Sequence, residues 1–366
     1  MEHYKSFVPS PLPPRPDIEI DADMIDLLTK ATNNLTLLES IAQRIPNHTL
    51  FTAAYVRKEA LLSSQIEGTQ ATLEDIFDPL IETNTNRDIE DVINYLRAAD
   101  FAKSGLKKLP ICNRLLKETH GILMEGVRGQ DKRPGEFRIS QNLIGRPGAT
   151  LKTAYYIPPN PHDMLEAMYN LEIYINADDN TNVLIRTALI HYQFETIHPF
   201  LDGNGRIGRM LIMLFLMSKN VLTTPALYIS YFLKKNQREY YDLLTEVRER
   251  GQYEKWVKFF LQAIAESAED AVRTINELSA LHDKNSTAIQ SLGRARITSS
   301  RVFKYLQSHP IVDIGKTAQD LNVVFNTAAS AINRLEKLGI LVQTTDARRN
   351  RVFIYKDYLD ILKRGT

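Results

Sequence analysis

The run His198-Pro199-Phe200-Leu201-Asp202-Gly203-Asn204-Gly205-Arg206-Ile207-Gly208-Arg209 carries the densest chemical signal in the chain. It lies between two segments with helical apolar spacing, Val183 to Thr196 and Arg206 to Ser218, so Gly203 to Gly205 form a loop feeding into a helix N-terminus. Such a loop is an anion cradle: without Cβ atoms its backbone N–H groups can point inward, and the helix dipole favours phosphate. Arg206 and Arg209 are three residues apart, hence on one helix face, and can clamp a polyphosphate through forked hydrogen bonds. Asp202 is the carboxylate of the cradle and suits Mg²⁺, which takes one or two protein carboxylates and completes its shell with water and substrate phosphates. His198 stands at the other rim, where an imidazole can take the proton of an attacking hydroxyl. A base, a metal ligand, an anion cradle and two cations are the parts that transfer at phosphorus requires. Taken singly, each residue has an ordinary structural reading: a satisfied core histidine, an Asp-Gly turn, a solvated arginine face. Their joint spacing favours the functional reading. No Lys-Ser or Lys-Thr follows the glycines, so this is not a P-loop.

Working outward, apolar residues three or four apart over 25–28, 35–38, 55–66, 92–106 and 115–124 predict a helical first third, preceded by an extended arm with Pro9, Pro11, Pro13, Pro14 and Pro16. Two β-prone runs, Phe137 to Ile144 and Thr153 to Ile157, flank a turn with Gly145, Pro147 and Gly148 and predict a hairpin. Helices are expected again at 161–176 and 237–250, and one long or two shorter connecting helices over 257–281, with a joint at Asn285 and Ser286. Beyond it, helix 299–308, short helix 316–321, helix 326–338 and strands 341–345 and 352–355 suggest a winged helix-turn-helix. The fold class expected is therefore mainly α. It divides into an N-terminal helical region at 1–110, a catalytic domain with a hairpin flap at 111–265, a helical linker at 266–290 and the winged unit at 291–366.

Hydrophobic residues at 43% and charged residues at 24% point to a globular chain. No apolar run reaches the roughly 20 residues of a membrane span, and the N-terminus does not read as a leader, so a cytoplasmic protein with no membrane partner is expected. Cys112 stands alone, which excludes an intramolecular disulfide and a thiolate metal cluster. The net charge of +1 conceals an asymmetry: residues 291–366 hold 13 Lys and Arg against six Asp and Glu. The basic turn with Arg348, Arg349 and Arg351 could meet phosphates as a wing, so nucleic acid is a candidate partner beside protein docking.

The 198–209 run resembles the motif of the Fic family: His-Pro-Phe, any residue, Asp or Glu, then Gly-Asn-Gly-Arg, two residues and Arg. Every fixed position agrees. The resemblance extends through His191, Gln193, Phe194 and Glu195, the hairpin with Pro158-Pro159, and Tyr240-Tyr241 and Trp256, and covers most of residues 55–265. It implies a helical fold, ATP and Mg²⁺ as cosubstrates, and transfer of AMP to a Ser, Thr or Tyr hydroxyl of a protein, this chain included. It implies His198 as general base, Asp202 as Mg²⁺ ligand, Gly203, Asn204 and Gly205 as cradle, and Arg206 and Arg209 on the β- and γ-phosphates. Leu143, Ile144 and Gly145 of the flap would lie near the nucleotide, Tyr240 and Tyr241 near the adenine, and Trp256 either there or packed in the core. Upstream, Ser63, Ser64, Gln65, Ile66, Glu67 and Gly68 read by themselves as a helix end. Beside the motif, Ser63, Glu67 and Gly68 resemble the family's inhibitory element, whose glutamate pairs with the second motif arginine, here Arg209. Two other readings stay open: removal of AMP, with Glu67 orienting a water, and a DNA-binding regulator that uses the site as a nucleotide sensor. A homodimer is a further candidate assembly.

Overall fold

A computed structural model describes residues 5–44, 48–79, 86–126, 130–146, 148–178, 180–344 and 351–364. Its centre is α7 (Val183–Ile197), in which every residue from Leu184 to Ile197 is buried, its polar side chains included. Asn182 caps it through the Leu184 N–H. Against α7 lies α8 (Asn204–Ser218), buried along most of its length, so the motif loop is the connection between the two innermost helices.

Around this pair stand α1 (Ala22–Arg44), α2 (His48–Ile66), α3 (Leu73–Phe77), α4 (Arg87–Gly105), α5 (Asn113–Leu123), α6 (Pro161–Asn176), α9 (Ser230–Lys235), α10 (Gln237–Arg250) and α11 (Tyr253–Gln290). The boundaries of α6 and α10 match the sequence reading, and α6 has the expected start: an Asn160 cap followed by Pro161. Helix α2 packs on α4, α8 and α9, which delivers its C-terminal end to the motif loop.

Two expectations are corrected here. The flap is less regular than a hairpin, for among the described residues it holds one antiparallel bridge, Ile144 with Tyr156, instead of two paired strands; Pro147 lies outside those residues. The joint at Asn285 and Ser286 is absent, because α11 runs unbroken for 38 residues, about 57 Å at 1.5 Å per residue, from Tyr253 to Gln290. Asn285 is buried there and its Nδ2 donates to the Tyr355 hydroxyl at 2.7 Å, so a tertiary partner satisfies a side chain that would otherwise favour a turn.

After α11 come α12 (Arg296–Leu306), β1 (Ile311–Asp313), α13 (Ile314–Asp320), α14 (Phe325–Lys337), β2 (Val342–Gln343), β3 (Val352–Ile354) and α15 (Lys356–Leu362). The strands form an antiparallel sheet ordered β1-β3-β2, with Val312 opposite Phe353 and Val342 opposite Ile354. The three-residue β1 and the helix α15 were not read from the sequence; both are too short for a periodic pattern. Arg348 and Arg349 lie outside the described residues, whereas Arg351 rests over the Phe353 ring at 5.2 Å. Among the described residues no helix is long and apolar enough to cross a membrane.

Candidate active site

The loop between α7 and α8 is held by its own residues and by two neighbours. His198 closes α7 in the left-handed region at φ 52°, an uncommon conformation for a residue with a Cβ. Asn204 turns its side chain back: Oδ1 accepts the Phe200 N–H at 2.8 Å and Nδ2 donates to the Phe200 carbonyl at 2.9 Å. It therefore locks the loop, and only its backbone is left to line the cradle. Phe200 is buried and stacks on His120 of α5 at 3.8 Å. His120 Nδ1 accepts the Gly135 N–H at 3.0 Å, which leaves Nε2 to donate to the Asp202 carbonyl at 3.1 Å. Burial pushes His120 down to about 4, consistent with that neutral tautomer.

Gly203 caps α8 at φ 74°, and a Cβ there would meet Met124 Sδ at 3.0 Å. A Cβ at Gly205 would lie 2.2 Å from Glu67 Oε1 and 2.8 Å from Arg209 Nη1. The Glu67 carboxylate thus sits directly on the N-terminal turn of α8, in the position that helix geometry offers to an anion. Arg209 Nη2 donates to Glu67 Oε1 at 2.6 Å and to the Ser63 carbonyl at 2.9 Å, and Nε donates to Ser63 Oγ at 2.8 Å. Burial raises the pKa of Glu67, but the guanidinium beside it outweighs that and holds the carboxyl below its ordinary value. Gly68, at φ 97°, ends the segment.

Arg206 contrasts with Arg209. Its guanidinium is buried, yet Asp91 and Asp202 both stand 3.7 Å from it, beyond hydrogen-bond range, and Nε has no hydrogen-bond partner among the described residues. The Asp202 side chain is half exposed, and Oδ1 accepts the Gly203 N–H. Among the described residues no three His, Cys, Asp or Glu converge as a metal cage. A lone carboxylate at an anion cradle still fits Mg²⁺, because phosphate oxygens and water supply most of its shell.

His198 Nδ1 lies 3.3 Å from the Glu195 carbonyl. A carbonyl only accepts, so the ring proton belongs on Nδ1 and Nε2 keeps its lone pair. Burial, reinforced by Arg248 and Arg138 against the opposing Glu195 carbonyl and Glu67 carboxylate, pushes His198 down to about 4. It is therefore neutral at pH 7. Burial also pushes Glu195 up to about 7.

The aromatic expectations divide. Trp256 is wholly buried with Nε1 bonded to the Ala188 carbonyl at 2.8 Å, so it is core and not a nucleotide contact. Tyr240 is likewise buried, its hydroxyl donating to His191 Nε2 at 3.0 Å while His191 Nδ1 donates to the Gly208 carbonyl at 3.1 Å. Tyr241, 45% exposed, is the member of the pair that presents a ring to solvent. In the flap, the Ile144 N–H bonds the Tyr156 carbonyl at 2.9 Å, with Leu143 and Gly145 half-buried on either side. Sequence reasoning missed His120 and Arg138, since neither belongs to a local motif; each acts on the loop from a remote element.

A helical protein whose innermost helix pair presents an anion cradle, two arginines and a neutral histidine is the class that fold and site define. Comparison agrees. The Fic/DOC family model matches residues 110–216, and the Fic/DOC family N-terminal model matches residues 25–104. The chain belongs to the Fic/DOC family. The protein adenylyltransferase Fic of Drosophila grimshawi is 31% identical over 127 residues, which is 34% of this chain but only 23% of that relative's length. In fold, the chain resembles a Fic family protein from Desulfovibrio desulfuricans G20 at a TM-score of 0.60 and 19% identity, covering 93% of this chain and 98% of that one. It also resembles a Fic domain containing signaling protein from Bacteroides thetaiotaomicron at 0.54 and 18%, covering 69% and 97%.

Proposed function

We propose that this chain is a protein adenylyltransferase, moving AMP from ATP to a protein hydroxyl, and that Glu67 holds it inactive. The observation that carries the reading is the carboxylate of Glu67 placed against Gly205 and paired with Arg209, one anion occupying a site suited to another. When Glu67 withdraws, the α8 N-terminus and both arginines take the phosphates. The target oxygen attacks the α-phosphorus and gives its proton to His198 Nε2; the new P–O bond forms as the bond to the β-phosphate bridging oxygen breaks, and pyrophosphate leaves. Asp202 would hold Mg²⁺, whose chemistry when bound is charge neutralisation on the phosphates. Tyr241 supplies a ring beside the base, and the edge of the flap offers backbone groups to an extended target segment.

The order helix, strand, two helices and two strands after α11 supports reading the C-terminal unit as a winged helix-turn-helix. The test of the activity is intact-mass measurement after incubation with ATP and Mg²⁺, for the wild type and for Glu67→Gly. One AMP gained by the variant and not by the wild type is expected. No adduct on either protein, together with no transfer to proteins in an extract, would overturn the reading.

A further inference from the structure

Arg138 is 1% exposed, at the foot of the flap. Its Nε donates to the His198 carbonyl at 3.0 Å, Nη1 to the Ser140 carbonyl at 3.2 Å and Nη2 to the Pro159 carbonyl at 2.5 Å. Its backbone N–H also donates to the Pro199 carbonyl at 2.9 Å. One guanidinium therefore spans the outgoing limb of the flap, the returning limb and the peptide of the one histidine in the motif. Asn142 reinforces the join, with Nδ2 donating to the Phe200 carbonyl at 3.0 Å. A left-handed residue bearing a side chain persists only where its surroundings over-determine it, and at His198 these bonds provide that constraint.

We propose that Arg138 is a positioning residue that fixes the aim of the His198 ring and ties it to the flap, so that a target segment seated on the flap and the base that receives its proton keep one geometry. The proposal rests on the adenylyl-transfer reading. It assigns Arg138 no contact with ATP or target. A lysine cannot replace it, because one ammonium lacks the planar fork that reaches three separated carbonyls.

The experiment compares Arg138→Met and Arg138→Lys in a Glu67→Gly background, so that transfer is measurable. Steady-state kinetics of AMP transfer, ATP affinity by calorimetry and the titration of the His198 ring by NMR are followed together. Misaiming a base by a small distance lowers rate by about 10²-fold, so kcat should fall by about that factor in both variants, with ATP affinity within about twofold of the parent. The split between kcat and ATP affinity is the readout that a merely structural loss would not give, and the His198 titration follows the ring itself, which burial and the neighbouring cations hold down. Arg138, with Arg248, opposes protonation of that ring, while the Glu195 carbonyl favours it. Removing the cation in Arg138→Met should raise the ring's pKa relative to the Glu67→Gly parent, whereas Arg138→Lys should stay closer to it. Unchanged kcat in either folded variant, or rate and ATP affinity falling in parallel, would overturn the proposal. If Arg138→Met is insoluble, Arg138→Lys decides by the same kinetic criteria. If the Glu67→Gly parent transfers no AMP, the functional reading fails separately, and a His198 ring with the same pKa and chemical shifts in parent and Arg138→Met still overturns this one.

Discussion

The two halves of the anion cradle differ although their arginines stand one turn apart on α8. On one side Arg209 makes three hydrogen bonds to Ser63 and Glu67 at 2.6–2.9 Å. On the other, Arg206 faces Asp91 and Asp202 at 3.7 Å, and its Nε has no partner among the described residues. A buried cation tolerates loose pairing only with a loss that a better anion would recover. The closed half is thus a finished salt bridge, and the open half an incomplete one. On the proposed reading, the difference teaches that inhibition would be partial occupancy: Glu67 would fill the place of one phosphate and leave the rest of the cradle able to bind.

The largest effect expected lies outside both halves. Loss of a general base typically lowers rate by about 10²–10⁴-fold, so His198→Ala in the Glu67→Gly background should lose that much AMP transfer while keeping ATP affinity. Retained turnover would show that the cradle alone performs the chemistry. Next, Glu67→Gly should open the closed half and raise transfer by about 10²-fold, because a displaced γ-phosphate misaligns in-line attack. Adding Arg209→Ala should erase most of that gain, and radiolabelled AMP incorporation by the wild type, the two single variants and the double variant measures it. Equal activity of wild type and Glu67→Gly would leave Glu67 an ordinary helix-end residue.

The open half is tested by Arg206→Ala. Hydrogen bonds to a charged group contribute about 1.5–3 kcal/mol, so ATP affinity should drop roughly 10- to 100-fold by calorimetry even with Glu67 in place. Unchanged affinity would mean that both halves are closed. The smallest effect concerns what stands behind the closed half. His191, bonded to Gly208 beside Arg209, is pushed down to about 3 by burial, against about 6.5 in an unfolded chain. Between those values the unfolded state binds the extra proton, so stability falls as pH drops from about 6.5 toward 3, by at most about 1.4 kcal/mol per pH unit. His191→Gln should unfold in urea with a shallower dependence on pH over that window. An identical slope would remove His191 as a contributor.

Local chemistry made the motif loop legible: glycines that admit close approach, a cap position, arginines three apart and a histidine at the rim are properties of neighbours in sequence. So were the boundaries of α6 and α10, where an Asn-Pro start and a left-handed Gly251 stop punctuate the pattern. The flap was overread, because β-prone residues describe a preference and the single bridge at Ile144 reflects what the loop could pair with. The Asn285-Ser286 joint failed for the converse reason: a tyrosine 70 residues away satisfies Asn285 and lets the helix continue.

The residue types of the cradle, and the helix end that carries Glu67, follow from the sequence alone, since backbone N–H groups and a dipole arise within one turn. That Glu67 occupies the cradle, that Arg138 reaches His198, that His120 holds Asp202 and that Trp256 is core were decided by tertiary packing. Each of those contacts joins residues 60–142 positions apart in the chain, or buries a side chain whose type permits either role, and no local period encodes such a distance.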